Sequence, residues 1–208
     1  MKPSTRIICL AGLLLSLLSS CQQTAGSKSE LSLKAAAFNQ EDAAIAKQFG
    51  YSSDPLIFQF TTDSSVQSLH YTVYTLNQGQ WEAQWTGDQS LSGLRGRIAV
   101  YTDELPKGYT LIMQCDNVCV KDELRVENPD FSMPEQAVLS TAVLSEETSW
   151  TKGREFPILV QQISTHENKG AVNLEQFFKP DHFSDQDEVW ALTLIFQESE
   201  NSRQLPSK

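Results

Sequence analysis

The sequence predicts a mostly-β protein, an antiparallel β-sandwich with one short helix near its N-terminus. Three observations carry that expectation. Beyond Tyr51, short apolar or alternating runs recur between turn residues, and a period of two is the pattern of a half-buried strand. No long helical pattern separates most of these runs, which implies antiparallel pairing rather than parallel strands joined by helices. Apolar residues form 40% and charged residues 20% of the 208-residue chain, a composition that folds into a packed domain.

The N-terminal segment has a separate role. Lys2 and Arg6 precede Ile7 to Leu18, an uncharged run of 12 residues. That is too short for the ~20 apolar residues of a membrane span but fits the apolar centre of a signal peptide. The run ends in Leu18-Ser19-Ser20-Cys21, which resembles the lipobox of bacterial lipoproteins. The resemblance covers this segment only. It implies that residues 1–20 are a signal peptide removed ahead of Cys21. It further implies that the Cys21 thiol carries a diacylglyceryl group and that the new amino terminus is acylated, as with palmitate. Two or more acyl chains make a stable anchor at about 0.8 kcal/mol per buried methylene, whereas one chain holds marginally. The expected location is the cell membrane or outer membrane, with the body on the extracytoplasmic side. Gln22 avoids the aspartate that retains some lipoproteins at the inner membrane of two-membrane bacteria.

The formal charge of the whole chain is −10, from 16 Lys and Arg against 26 Asp and Glu. Such a balance excludes a nucleic-acid binder driven by overall charge. Lys2 and Arg6 leave with the leader, so the body is more acidic still and is repelled by anionic headgroups. Anchoring is therefore assigned to the lipid. Residues 21–34, with Thr24, Gly26, Ser27 and Ser29, read as a lipidated flexible tether, residues 35–198 as a single sandwich domain, and residues 199–208 as a polar tail.

Within the domain, Asn39 as a cap, Glu41 and Asp42 near the positive end of the helix dipole, and Gly50 as a stop predict the helix. Candidate strands follow at Leu56 to Phe60, Val66 to Leu76, Gln80 to Thr86, Leu94 to Thr102, Tyr109 to Cys115, Val118 to Val126, Ala137 to Leu144, Ile158 to Ile163 and Val189 to Gln197. Treating Asn77-Gln78-Gly79 as a three-residue loop sets Thr75 opposite Trp81, Val73 opposite Ala83 and Tyr71 opposite Trp85, with both tryptophans on one apolar face. A two-residue loop sets the tryptophans opposite Leu76 and Thr72, a weaker apolar face. In the last strand Trp190, Leu192, Leu194 and Phe196 alternate with Val189, Ala191 and Ile195. Both of its faces are apolar, so it should be central and covered on both sides. Pro106-Lys107-Gly108-Tyr109-Thr110-Leu111 resembles the turn-and-strand element of immunoglobulin-like sandwiches, in which a turn glycine precedes a tyrosine entering a core strand. That resemblance bears on fold and not on function.

Cysteine usage points two ways. Cys9 leaves with the leader and Cys21 takes the lipid, so Cys115 and Cys119 remain as a candidate disulfide in an exported body. A two-residue turn at Asp116-Asn117, however, sets Cys115 opposite Val118 and Cys119 opposite Gln114, with the sulfurs on opposite faces.

Chemistry-bearing motifs are sparse. Ser149-Trp150-Thr151-Lys152 matches the Ser-x-x-Lys pattern of penicillin-recognising enzymes, but Gly153 and Pro157 deny it a helical turn and Lys-Thr-Gly is missing. His70, His166 and His182 have no metal-ligand spacing, and the acidic stretch Asp181 to Glu188 lacks the glycine and spacing of a calcium loop. No cofactor and no metal is implied. Of the four tryptophans, Trp150 sits in a polar, turn-like segment and is the candidate for stacking on a ligand, while Trp81 and Trp85 read as core. The expected function is a non-catalytic binding or structural module of the envelope with a protein or glycan partner. The alternative is a hydrolase or other enzyme whose site assembles only in the fold.

Overall fold

The computed structural model describes residues 31–37, 55–102, 108–125, 136–165, 171–183 and 188–198. The body is built from two antiparallel sheets packed face to face, with no closed barrel among the described residues. Sheet A has the order β7-β6-β5-β2-β1-β9 and sheet B the order β4-β3-β11-β10-β8. Sheet A contains β1 (Ser32–Ala36), β2 (Leu56–Thr61), β5 (Arg95–Tyr101), β6 (Gly108–Cys115), β7 (Val118–Arg125) and β9 (Thr148–Ser149). Sheet B contains β3 (Val66–Asn77), β4 (Gln80–Ser90), β8 (Val138–Val143), β10 (Phe156–Ser164) and β11 (Glu188–Glu198).

All nine expected strands are present, with ends shifted by a few residues. β1 is an addition. Its first three residues, Ser32 to Lys34, lie in the stretch expected to be tether, yet they pair with β2 on one side and, at Ser32 and Leu33, with β9 on the other. Only Leu33 of this strand is buried, so its own pattern is too weak to identify it and its neighbours decide its conformation. Among the described residues the only helical elements are the 3-10 turns Leu174–Phe178 and Pro180–His182. The helix expected from Asn39 to Gly50 lies outside the described residues, as do Cys21 and the leader.

The interior between the sheets collects Leu33, Phe58 and Phe60, Leu69, Tyr71 and Val73, Ile98 and Val100, Tyr109, Leu111 and Met113, and Trp190, Leu192, Leu194 and Phe196. A second cluster lies on the far side of sheet B. There Val160, Val189 and Ala191 meet Val172, Phe177 and Phe183 from the segment between β10 and β11. A capping box starts its first 3-10 turn: Gln176 N donates to Asn173 Oδ1 at 3.2 Å, and Asn173 N donates to Gln176 Oε1 at 2.8 Å. Strand β11 is therefore central and buried on both faces, as its two apolar sides require.

The β3–β4 hairpin corrects the expected register. Its loop has two residues, Gln78 and Gly79, both left-handed at φ 49° and 76°, the geometry of a type I′ turn. Trp81 stands opposite Leu76, and a β-bulge at Gln84 then brings Trp85 opposite Val73. One extra residue reverses which side of a strand faces the core, so the two tryptophans point to opposite sides. Trp85 meets Tyr71 between the sheets, with ring centroids 5.0 Å apart. Trp81 instead stacks on Phe177 at 5.0 Å and donates its Nε1–H to the Phe177 carbonyl at 2.8 Å, fastening the cover to sheet B.

Candidate functional site

Strand pairing decides which polar side chains meet on the outer face of sheet A. One register row crosses four strands as Lys34 on β1, Gln59 on β2, Arg97 on β5 and Gln114 on β6, and ends at Cys119 on β7. The adjacent row holds Ser32, Thr61 and Arg95. Strands in a sheet lie about 4.8 Å apart, and alternate residues on one strand about 7 Å, so the three cations stand on backbones within ~12 Å of one another. All of these residues except Cys119 line a groove of about 620 Å³ at the end of the sheet where β1 begins. Lys34, Arg95, Arg97 and Gln114 are exposed in it.

What sets the groove apart is that three cations share one lining. Lys34, Arg95 and Arg97 form no salt bridge among the described residues, nor do Arg154 and Lys179, whereas Lys121 pairs with Glu123 and Lys152 with Asp63 and Glu198. Carboxylates mark its two ends, Glu147 ahead of β9 and Asp116 in the β6–β7 turn. Gly96 lies between the two arginines, on the inward side of β5. A Cβ there would land on the Phe60 ring and 2.6 Å from the Gln114 carbonyl oxygen, so the arginines flank a position at which β5 leaves no room for a side chain.

Two further polar constellations have catalytic-looking compositions. Lys152 Nζ reaches Asp63 Oδ2 at 2.8 Å and Glu198 Oε1 at 2.9 Å, and it also contacts Ser65 Oγ. The carboxylates hold the ammonium charged and raise its pKa, while Lys152 and Ser65 hold Asp63 down at about 2. A lysine held protonated cannot accept the serine proton, so this is an ion-pair clamp joining the β2–β3 turn, the β9–β10 loop and the end of β11. Ser149, the partner that the Ser-x-x-Lys pattern would require, sits exposed on β9 opposite Ser32.

On the outer side of sheet B, Asp88 Oδ1 lies 2.9 Å from His70 Nδ1, and His70 Nε2 lies 3.2 Å from Thr72 Oγ1. The order acid, imidazole, hydroxyl is that of a nucleophilic relay, but Thr72 is only 2% exposed in mid-strand. Beyond it, Glu155 Oε1 accepts from Tyr74 Oη at 2.9 Å and Thr193 Oγ1 at 2.6 Å. Burial, then the Glu155 carboxylate, raises the Tyr74 pKa and keeps the phenol a donor. The chain of contacts stitches β4, β3 and β11 to the residue before β10.

The expected ligand-stacking residue is placed differently. Trp150 is 7% exposed and stacks on Phe196 with centroids 4.2 Å apart and planes at 18°. Turn-like neighbours do not reveal that its ring enters the interior; one edge of it lines a cavity of about 240 Å³ beside Phe156 and Phe178. Cys115 and Cys119 are unbonded. The Asp116-Asn117 turn has the expected register, with Cys115 opposite Val118 and Cys119 opposite Gln114. Cys115 therefore faces the core, its thiol 3.5 Å from the carbonyls of Gly93 and Arg95, and Cys119 is exposed on the other face. His166, Asp185 and Asp187 fall outside the described residues; His182 and Asp181 are exposed.

The groove residues were not singled out in the sequence. Their only local sign is Arg95-Gly96-Arg97, two like charges at strand period in an acidic chain. No family model, no curated protein and no solved structure matches the chain.

Proposed function

We propose that the chain is an envelope lipoprotein, acylated at Cys21, whose sandwich is a non-catalytic binding module that uses the cationic groove of sheet A. The supporting observation is the groove itself: three cations without salt-bridge partners among the described residues, collected in a concave surface of a chain whose formal charge is −10. Opposite charge concentrated in a cleft focuses the field and draws anionic partners. We extend the immunoglobulin-like reading to the body in the sense of layers, because two antiparallel sheets enclose one interior. Strand order runs β2-β5-β6 where a constant-type immunoglobulin sheet runs B-E-D.

Location is tested by replacing Cys21 with serine and fractionating the cells. The wild-type chain is expected with the membranes and Cys21→Ser outside them; a variant that stays with the membranes removes the lipoprotein reading. The enzyme alternative is favoured by one observation, the Asp88–His70–Thr72 relay. It requires Thr72 to become accessible. Covalent labelling of Thr72 by a phosphonate ester, abolished in His70→Ala, would establish it, and the binding-module reading requires that no such label forms.

A further inference from the structure

We propose that the groove on the outer face of sheet A is a site for a phosphoryl group, taking a compact phosphate ester rather than a polyanion. The inference rests on the reading of that groove as the binding surface and names its ligand chemistry.

Holding Lys34, Arg95 and Arg97 together has an electrostatic cost, because like charges at this spacing repel and no salt bridge among the described residues relieves them. A bound oxyanion removes that repulsion. A carboxylate offers two oxygens and is matched by one guanidinium. A phosphate monoester carries about −1.5 to −2 charges and three acceptor oxygens, which suits two forked guanidinium groups and an ammonium together. Gln59 and Gln114 flank Arg97 on the neighbouring strands in the same register row, where their amide groups can donate to the remaining oxygen.

The ends of the groove limit the ligand. Glu147 and Asp116 place a carboxylate at each end, so an anionic polymer threading through would meet repulsion twice. A single phosphoryl group seated at the cations, on a neutral organic part, brings no further charge to either end. The groove volume of about 620 Å³ leaves room for that organic part, lying within the ordinary range of small-ligand sites.

Two sources share this chemistry: a soluble phosphate ester and a phospholipid headgroup. The groove opens where β1 begins, and residues 22–31 span at most about 35 Å when fully extended, so a headgroup is within reach of the expected anchor. The test uses the purified chain from residue 21 onward at low salt, with Cys21→Ser so that no acyl chain carries it to vesicles. Glycerol phosphate and inorganic phosphate are titrated by calorimetry, and vesicles of phosphatidylglycerol are used in flotation. Arg97→Gln and Arg95→Gln are compared with Lys179→Gln, a cation on the cover of sheet B. Glycerol phosphate is expected to bind, with affinity lowered about tenfold or more in each arginine variant, unchanged in Lys179→Gln, and weakened by salt. Arginine-dependent flotation in addition would assign the phosphate to a headgroup, and binding without flotation would assign it to a soluble ester.

Absence of arginine-dependent binding to any of these probes overturns the phosphate proposal. The same titration with acetate and citrate then separates the two levels of the reading. Arginine-dependent binding of a carboxylate would leave the groove as the binding surface with a different ligand class. No arginine-dependent binding of any anion would remove the groove reading as well.

Discussion

The two sheets treat their outer faces differently. Sheet B is covered: Phe177, Phe183 and Val172 seal one part of it, and the Asp88–His70–Thr72 and Tyr74–Glu155–Thr193 contacts occupy polar positions on the same side. Its central strands β10 and β11 are buried almost throughout. The end of sheet A near Ser32, Thr61 and Arg95 presents exposed arginines and a lysine to solvent instead. Sheet B thus has the character of a core element with polar groups paired within the protein, and sheet A that of a supported surface. A rigid inner layer behind an open charged face is a sound way to hold binding groups in place.

This contrast yields four expected outcomes. The largest effect belongs to the cover. Phe177→Ala removes a buried ring that stacks on Trp81 and should destabilise by about 3 kcal/mol, read as a lower midpoint in urea with altered Trp fluorescence. Phosphate affinity in the groove should be unchanged. If stability were also unchanged, the cover would not be part of the folded core and the contrast would collapse.

Gly96→Ala comes next, because the new methyl must displace the Phe60 ring or move β5 away from β6. A loss of about 2 kcal/mol is expected, measured by thermal melting. Unlike Phe177→Ala, it should also weaken anion binding by disturbing Arg95 and Arg97.

Third is the pH dependence of the Lys152 clamp. The folded carboxyl of Asp63 titrates at about 2, below its ordinary value of 3.8. A depressed pKa contributes stability above the unfolded value, and the contribution is lost as pH falls through the folded value. The wild type should therefore exceed Asp63→Asn by an amount that is constant from neutral pH down to about 4 and shrinks towards pH 2. Solvent screening holds that amount to about 1 kcal/mol or less. A difference independent of pH across that window would show that the carboxylate charge is not what Asp63 contributes.

The smallest effect on stability belongs to Arg97→Gln, an exposed position at which a shift within about 0.5 kcal/mol is expected. A strong destabilisation there would mark Arg97 as structural and make both faces alike.

Much of the strand content could be read from the chain. Alternation along Val189 to Phe196 foretold a strand covered on both sides; for Cys115 and Cys119 the sequence left a disulfide and a diverging pair both open, and the Asp116-Asn117 turn has the register of the second. Trp81 and Trp85 both pack on apolar clusters as expected but not on one face: the two-residue loop turns Trp81 to the outer side, and a bulge at Gln84, which has no local signature, returns Trp85 to the inner one. Trp150 was read from its polar neighbours, whereas its burial depends on Phe196, a residue of another sheet. In cover residues 171–183, Leu174, Phe177 and Phe178 have helical spacing, but over a single turn before Pro180, too short a run for periodicity to single out.

Periodicity and turn chemistry are properties of a few consecutive residues, so the existence of the strands and the two-faced burial of β11 were determined by the sequence alone. Which strands are neighbours was not. Lys34, Arg95 and Arg97 converge because β1 lies beside β2 and β2 beside β5, an order set by the packing of the whole interior. The groove is therefore a product of the tertiary structure, and the physical reason is that its charges meet across strand pairs far apart in the chain.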